Sequence, residues 1–192
     1  MFTTRSFKEI LKKIALLIFG DYGIYIIYRL RWPADDINIS TNSGELKNLT
    51  QREIMNSSHV LIREQAQYCG EQAYAYGVKV DGEIVSICFF WTGQRYREQR
   101  NFWPIKDNEA KLVQITTLPE MRGKGLATNL IRFACQQIRR QGCHILYARI
   151  WHSNHFSRKA FEHCGWQKIA WVIEIFPFKL KKSYKFIFKY LR

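Results

Sequence analysis

A chain of 192 residues with 47% hydrophobic and 15% aromatic residues has the apolar content to build its own core, which excludes a disordered polymer, and its length suits one domain with an extension. Thirty Lys and Arg against sixteen Asp and Glu leave a formal charge of +14, so the partners to seek are acidic: nucleic acid, an anionic membrane or a polyphosphate cofactor. Five cysteines without a Cys-x-x-Cys pair exclude a disulfide framework and read as reduced thiols in a cytoplasmic protein.

The charge sits at the ends. Residues 1–31 carry six Lys and Arg and two acids, and residues 167–192 carry seven and one. Near the start, Phe7, Ile10, Leu11, Ile14, Leu17 and Ile18 recur at helical spacing between Lys8, Lys12 and Lys13, which predicts a basic amphipathic helix ending near Gly20. Its apolar run is too short to span a bilayer, and no small-residue cleavage site follows it. Two readings fit. In one, residues 5–20 lie on an anionic membrane surface, peripheral on the inner face; in the other, they pack on the core or form a homodimer. Residues 22–30, "YGIYIIYRL", read as a strand or a second interfacial helix. Loop signals follow at 32–36 and 42–44, so residues 1–44 are expected to form an extension and 45–192 the folded domain.

A strand near residues 45–49 precedes a helix from Gln51, with Thr50 and Glu53 spaced as a capping box. "AYAYGVKV" and "EIVSICFFW" flank Asp81-Gly82, a strong hairpin signal. "TGQRYREQRNFWPIKDN" reads as a long polar loop. "AKLVQITTL" predicts a strand, residues after Arg122 a helix to about Arg140, "HILYARI" a strand, and "NHFSRKAFEHCGW" a helix capped by Asn154 or Ser153. Two strands close the chain, the last alternating Tyr184, Phe186, Phe188 and Tyr190 with Lys185, Ile187 and Lys189. The expected order is β-α-β-β-β-α-β-α-β-β after the extension: an α/β (α+β) fold on a mixed central sheet.

Arg122-Gly123-Lys124-Gly125-Leu126-Ala127 follows a strand and opens a helix. The first amides of any helix lack intrahelical partners, glycine lets them approach a ligand, and the helix dipole with two cations favours an anion there. Neither the P-loop spacing nor the dinucleotide fingerprint is present; the other reading is an ordinary helix start with small residues. Cys143-His144 and His163-Cys164 lack finger-like spacing, so no metal is expected.

Arg122, Gly125 and Ala127 fit an Arg/Gln-x-x-Gly-x-Gly/Ala signature, and Asn154, Ser157, Phe161, Gly165 and Trp166 follow at the steps of a second motif. Together they resemble the GNAT superfamily of acetyl-CoA-dependent N-acetyltransferases, over about residues 45–192. The resemblance implies that the amides of Gly123, Lys124, Gly125, Leu126 and Ala127, beside Arg122, bind the acetyl-CoA pyrophosphate. It implies that the strand edge at Ile115, Thr116 and Thr117 holds the pantetheine arm, with Asn154 and the residue-161 position against the same arm. It also places a tyrosine, the acid that protonates the departing thiolate, where this chain has Phe161. Phe donates no proton; the thiolate can leave unaided or take a proton from water or the amine, or Ser157, His152 or His155, nearby in sequence, can substitute. Phe161 also reads as core, on one helix face with Ser157 and Cys164. Glu109, thirteen residues before Arg122, stands where some lysine-acetylating members carry a general base; its other reading, the one favoured by residue type alone, is a solvated loop carboxylate. His59 and Glu98 are weaker bases.

The implied function is direct attack of an unidentified amine acceptor on acetyl-CoA, with a membrane-proximal glycan or lipid-linked precursor suggested by the basic N-terminus. The alternative is a non-catalytic CoA-binding protein of the same fold. The aromatic and lysine-rich C-terminus could also suit a nucleic-acid-binding module, but simple strand alternation accounts for it.

Overall fold

The structure, a computed structural model, describes residues 21–31, 44–177 and 183–190. The helix expected over residues 5–20 lies outside the described residues. Among those described, a single mixed sheet contains β1 (Asp21–Arg31), β2 (Glu45–Asn48), β3 (Ala73–Val80), β4 (Glu83–Thr92), β5 (Glu109–Thr117), β6 (Ile145–Trp151), β7 (Gln167–Phe176) and β8 (Tyr184–Lys189). The strands run in the order β2-β3-β4-β5-β6-β1-β7-β8. The α-helices are α1 (Gln51–Met55), α2 (Val60–Arg63), α3 (Gly93–Gln99), α4 (Leu126–Arg140) and α5 (His155–His163).

Local chemistry sets the boundaries. The Glu53 amide donates to the Thr50 hydroxyl at 3.2 Å, and the Thr50 amide donates back to the Glu53 carboxylate at 2.9 Å, so α1 starts in a reciprocal capping box. Asp81 and Gly82 both take positive φ, 50° and 82°, as a tight turn matched to the strand twist requires. Helix α4 buries Leu126, Leu130, Ile131, Ala134, Cys135 and Ile138, a three-and-four-residue spacing that puts one apolar stripe on the sheet. The larger core cluster joins these to Ile26 and Tyr28 of β1, Ile87 of β4 and Phe161 of α5. A smaller cluster gathers Ile27, Trp91, Tyr96, Ile105, Tyr147, Ala170 and Val172.

Of the two readings of residues 22–30 the strand is the one found, and it lies inside the sheet, antiparallel to both β6 and β7. With both edges hydrogen-bonded and Ile26 and Ile27 at 0% exposure, β1 is a buried interior strand of the same sheet as the strands after residue 45. The long polar loop expected after β4 opens instead with α3, anchored by buried Tyr96, whose hydroxyl accepts from the Trp103 amide at 3.1 Å.

Candidate active site

Strands β5 and β6 are the one parallel pair among the described residues, connected through α4. Their ladder covers only Glu109–Leu112 against Ile145–Ala148. On the other side of β5, Phe90 faces Leu112 and Phe89 faces Gln114. Val113 is thus an extra, unpaired residue, and such a bulge bends its strand. Beyond it β5 stays paired with β4 through Thr117 but leaves β6. Its freed edge leaves Ile115, Thr116 and Thr117 without a β6 partner. A crevice outside the carboxyl ends of parallel strands is where open α/β sheets bind ligands.

The predicted phosphate loop sits at that end. The Arg122 Nε donates to the Thr117 carbonyl at 3.2 Å, tying the loop to the end of β5. Gly123 and Gly125 hold φ of 77° and 76°, and Gly125 is the N-cap of α4. A Cβ at either glycine would meet no atom within 4 Å, so the backbone there borders open space. Among the described residues, no amide from Gly123 to Ala127 donates to a protein acceptor. Lys124 is exposed, and a depression of 580 Å³ lined by Lys79, Asp81, Met121, Lys124 and Leu126 lies alongside. Orphan amides, a helix N-terminus and flanking cations fit a pyrophosphate, and the open strand edge fits an amide-bearing chain.

Asn154 and Ser157 follow the end of β6. Asn154 caps α5, accepting the Ser157 amide at 3.0 Å. The His152 amide and Nδ1 both lie on the Ile24 carbonyl, at 3.0 and 3.3 Å, and His155 begins α5 on the surface. Phe161 is 2% exposed, edge-on to Trp166 at 5.0 Å and 6.2 Å from the Tyr28 ring: its surroundings are core aromatics. Glu109 opens β5, three residues before the ladder ends. It is buried, accepting the Lys106 amide at 2.8 Å and facing the Tyr147 hydroxyl at 3.4 Å. His59 precedes α2, and Glu98 lies in α3 bonded to Gln94.

One residue escaped the sequence. Lys111, one position before Leu112, is 3% exposed, and its Nζ has no hydrogen-bond partner among the described residues. Burial, reinforced by the nearby Arg149 charge, holds its ammonium well below the ordinary lysine range. Among the described residues no group of three or more His, Cys, Asp or Glu gathers as a metal site, and no helix is long and apolar enough to cross a membrane.

Comparison with known proteins gives the family. Residues 44–166 match the acetyltransferase (GNAT) family, so the chain belongs to the GNAT acetyltransferases, a family of acyl-CoA-dependent enzymes. Solved structures share the fold at low identity. A protein assigned to the GNAT acetyltransferases from Novosphingobium aromaticivorans aligns with TM-score 0.57 and 16% identity, over 81% of this chain and 64% of its own. A GNAT-family acetyltransferase from Colwellia psychrerythraea gives 0.59 and 13%, over 86% and 60%. A conserved protein of unknown function from Staphylococcus epidermidis gives 0.53 and 10%, over 91% and 67%. The chain thus spans less than two thirds of the length of the first two. No curated protein matches the sequence.

Proposed function

We propose that the protein transfers an acetyl group from acetyl-CoA to an amine acceptor by direct attack. The observation that carries this is the junction of two features: the β5 edge freed at Val113 and the orphan amides of Gly123–Ala127. One suits the pantetheine arm and the other the pyrophosphate. With Arg122, Lys124 and Asn154 they would hold the thioester in the crevice, so much of the rate acceleration is positioning beside main-chain donors. Ser157 remains the nearby hydroxyl for the thiolate, and Glu109 the carboxylate for the ammonium.

The acceptor we propose is an amino sugar of a glycan precursor or a lipid-linked amine at a membrane surface. Its support is the basic amphipathic pattern of residues 5–20. Phe161 favours a second reading, a CoA-binding protein without transferase activity.

Calorimetry with acetyl-CoA tests the site. Gly125→Glu puts a carboxylate where the pyrophosphate would sit, and Gly125→Ala imposes the same positive-φ strain without charge. The glutamate variant is expected to bind about 100-fold more weakly than the alanine variant; equal affinities refute the assignment. Single-turnover transfer to a panel of primary amines then separates the two readings.

A further inference from the structure

Buried lysines are ordinarily paired, because an amine removed from water without a partner is costly. Lys111 departs from that rule. Its neighbours in sequence, Ala110 and Leu112, belong to the larger core cluster, so strand alternation sends its side chain to the opposite face of the sheet. Its register neighbours there are Trp91 on β4 and Tyr147 on β6, both in the smaller cluster. Phe102 and Trp103 pack against that cluster. The position is also singular along the strand: Lys111 stands one residue before the last β5–β6 pair and two before the bulge that opens the crevice.

The charged and titratable groups on this face explain why nothing claims the amine. Glu109 is turned to the Lys106 amide and the Tyr147 hydroxyl, and it makes no ion pair with Lys111 among the described residues. The Tyr96 hydroxyl accepts from the Trp103 amide at 3.1 Å. Arg149 stacks over Phe102 and Tyr25, at 4.1 and 4.6 Å from the ring centroids, and adds a like charge. Arg29 on β1 acts on Tyr147, and Arg100 sits over Trp91 and Tyr68. The carboxylate of this face, Glu109, is thus held by groups other than Lys111, and what else surrounds the amine is aromatic rings with cations about them, Arg31, Arg95 and Lys185 included.

We propose that Lys111 is the proton carrier of the transfer, taking a proton from the acceptor ammonium and delivering it to the departing thiolate. The inference rests on the acetyl-transfer reading above and supplies the acid that Phe161 cannot. The ammonium gives one proton to the Lys111 Nζ. The freed lone pair forms a C–N bond to the thioester carbonyl carbon, the C–S bond breaks, and its electron pair leaves on sulfur. The Lys111 ammonium protonates that sulfur. The second nitrogen proton passes through the neutral amine to water, leaving amide, free thiol and one proton. A lysine does this only if it is uncharged before the acceptor arrives, which is the state its surroundings favour.

Two measurements test it. In protein labelled with 13C and 15N at lysine, side-chain NMR follows every ε-methylene against pH, with Lys111 assigned by its absence from Lys111→Met. The Lys111 ε-methylene is expected to titrate well below the ordinary lysine range; a Lys111 that titrates in that range overturns the proposal. Lys111→Met replaces an unpartnered amine by an apolar chain of similar length, so the variant is expected to melt no lower than the parent. It should bind acetyl-CoA unchanged by calorimetry and lose about 100-fold or more in kcat, together with the rising limb of the pH profile. Unchanged kcat and profile overturn the proposal. Loss of acetyl-CoA binding by the parent protein would instead refute the acetyl-transfer reading. Glu109→Gln separates the two bases: if it alone removes the pH limb, the carboxylate carries the proton and Lys111 does not.

Discussion

Phe161 is the residue at which resemblance and packing part. The motif spacing puts it where the family carries an acid, yet its ring is 2% exposed between Tyr28 and Trp166. Deleting such a ring costs both transfer energy and a cavity, so Phe161→Ala is expected to lower stability by about 3–5 kcal/mol, read as a shift in the urea midpoint at unchanged slope. A cost below about 1 kcal/mol would mean that the site collapses around the loss or that the ring is not core. The same scale shows what the sequence withheld. Arg122, Gly123, Gly125 and Ala127 were legible because a helix N-terminus announces itself locally. Lys111 was not: a lysine between Ala110 and Leu112 reads as the solvated face of a half-buried strand. Its burial comes from Trp91, Tyr147 and the cluster around Tyr96, which close over that face only in the tertiary structure.

Elements with local start and stop signals came through, and elements held by distant contacts did not. The Thr50 capping box, the Asp81-Gly82 turn and the Asn154 cap of α5 are each written within a few residues and each is present. Helix α3 carries no side-chain cap at Thr92, and Tyr96 is its one buried residue, so its apolar periodicity is too sparse to read. The α1 cap also makes a pH prediction. The Thr50 amide hydrogen bond, chiefly, holds the Glu53 carboxyl down at about 2 against the opposing burial penalty, with the Thr50 hydroxyl and Lys79 assisting. A carboxyl depressed in the folded state contributes stability above its unfolded value, near 4.5, and loses it as pH falls through the folded value. The parent should therefore exceed Glu53→Gln in melting stability at pH 7 by about 1 kcal/mol, since water screens this half-exposed pair. The difference should fade as pH is lowered from about 4.5 toward about 2. A gap that stays constant over that range would mean that the charge of Glu53 has no part in the cap.

On the scale of the whole molecule, the N-terminal strand is what joins the two halves of the sheet. β1 is hydrogen-bonded to β6 from Tyr25 to Arg31 and to β7 from Asp21 to Arg29, and the Tyr28 hydroxyl donates to Glu162 of α5 at 2.7 Å. The loop signals at 32–36 and 42–44 suggested a boundary because punctuation is local, whereas the partner strands of residues 21–31 lie more than a hundred residues away in sequence. Two deletions distinguish a dispensable extension from a structural strand. Removing residues 1–31 takes away a strand whose Ile26, Ile27 and Tyr28 are at 0% exposure and leaves β6 and β7 with open, apolar edges. That chain is expected to aggregate, or to lose its cooperative melt. Removing residues 1–20 leaves every described strand in place, and this chain is expected to melt cooperatively and to bind acetyl-CoA. A cooperative melt of the shorter chain at the parent temperature would support the boundary at residue 45. The shorter deletion, of residues 1–20, is then the proper reagent for the membrane reading. With anionic vesicles at low salt, the full chain should sediment and the chain lacking residues 1–20 should not, because the six Lys and Arg of residues 1–31 include four before residue 21. If both chains stay in the supernatant, the membrane-surface acceptor is refuted while the crevice and its acetyl transfer stand untouched.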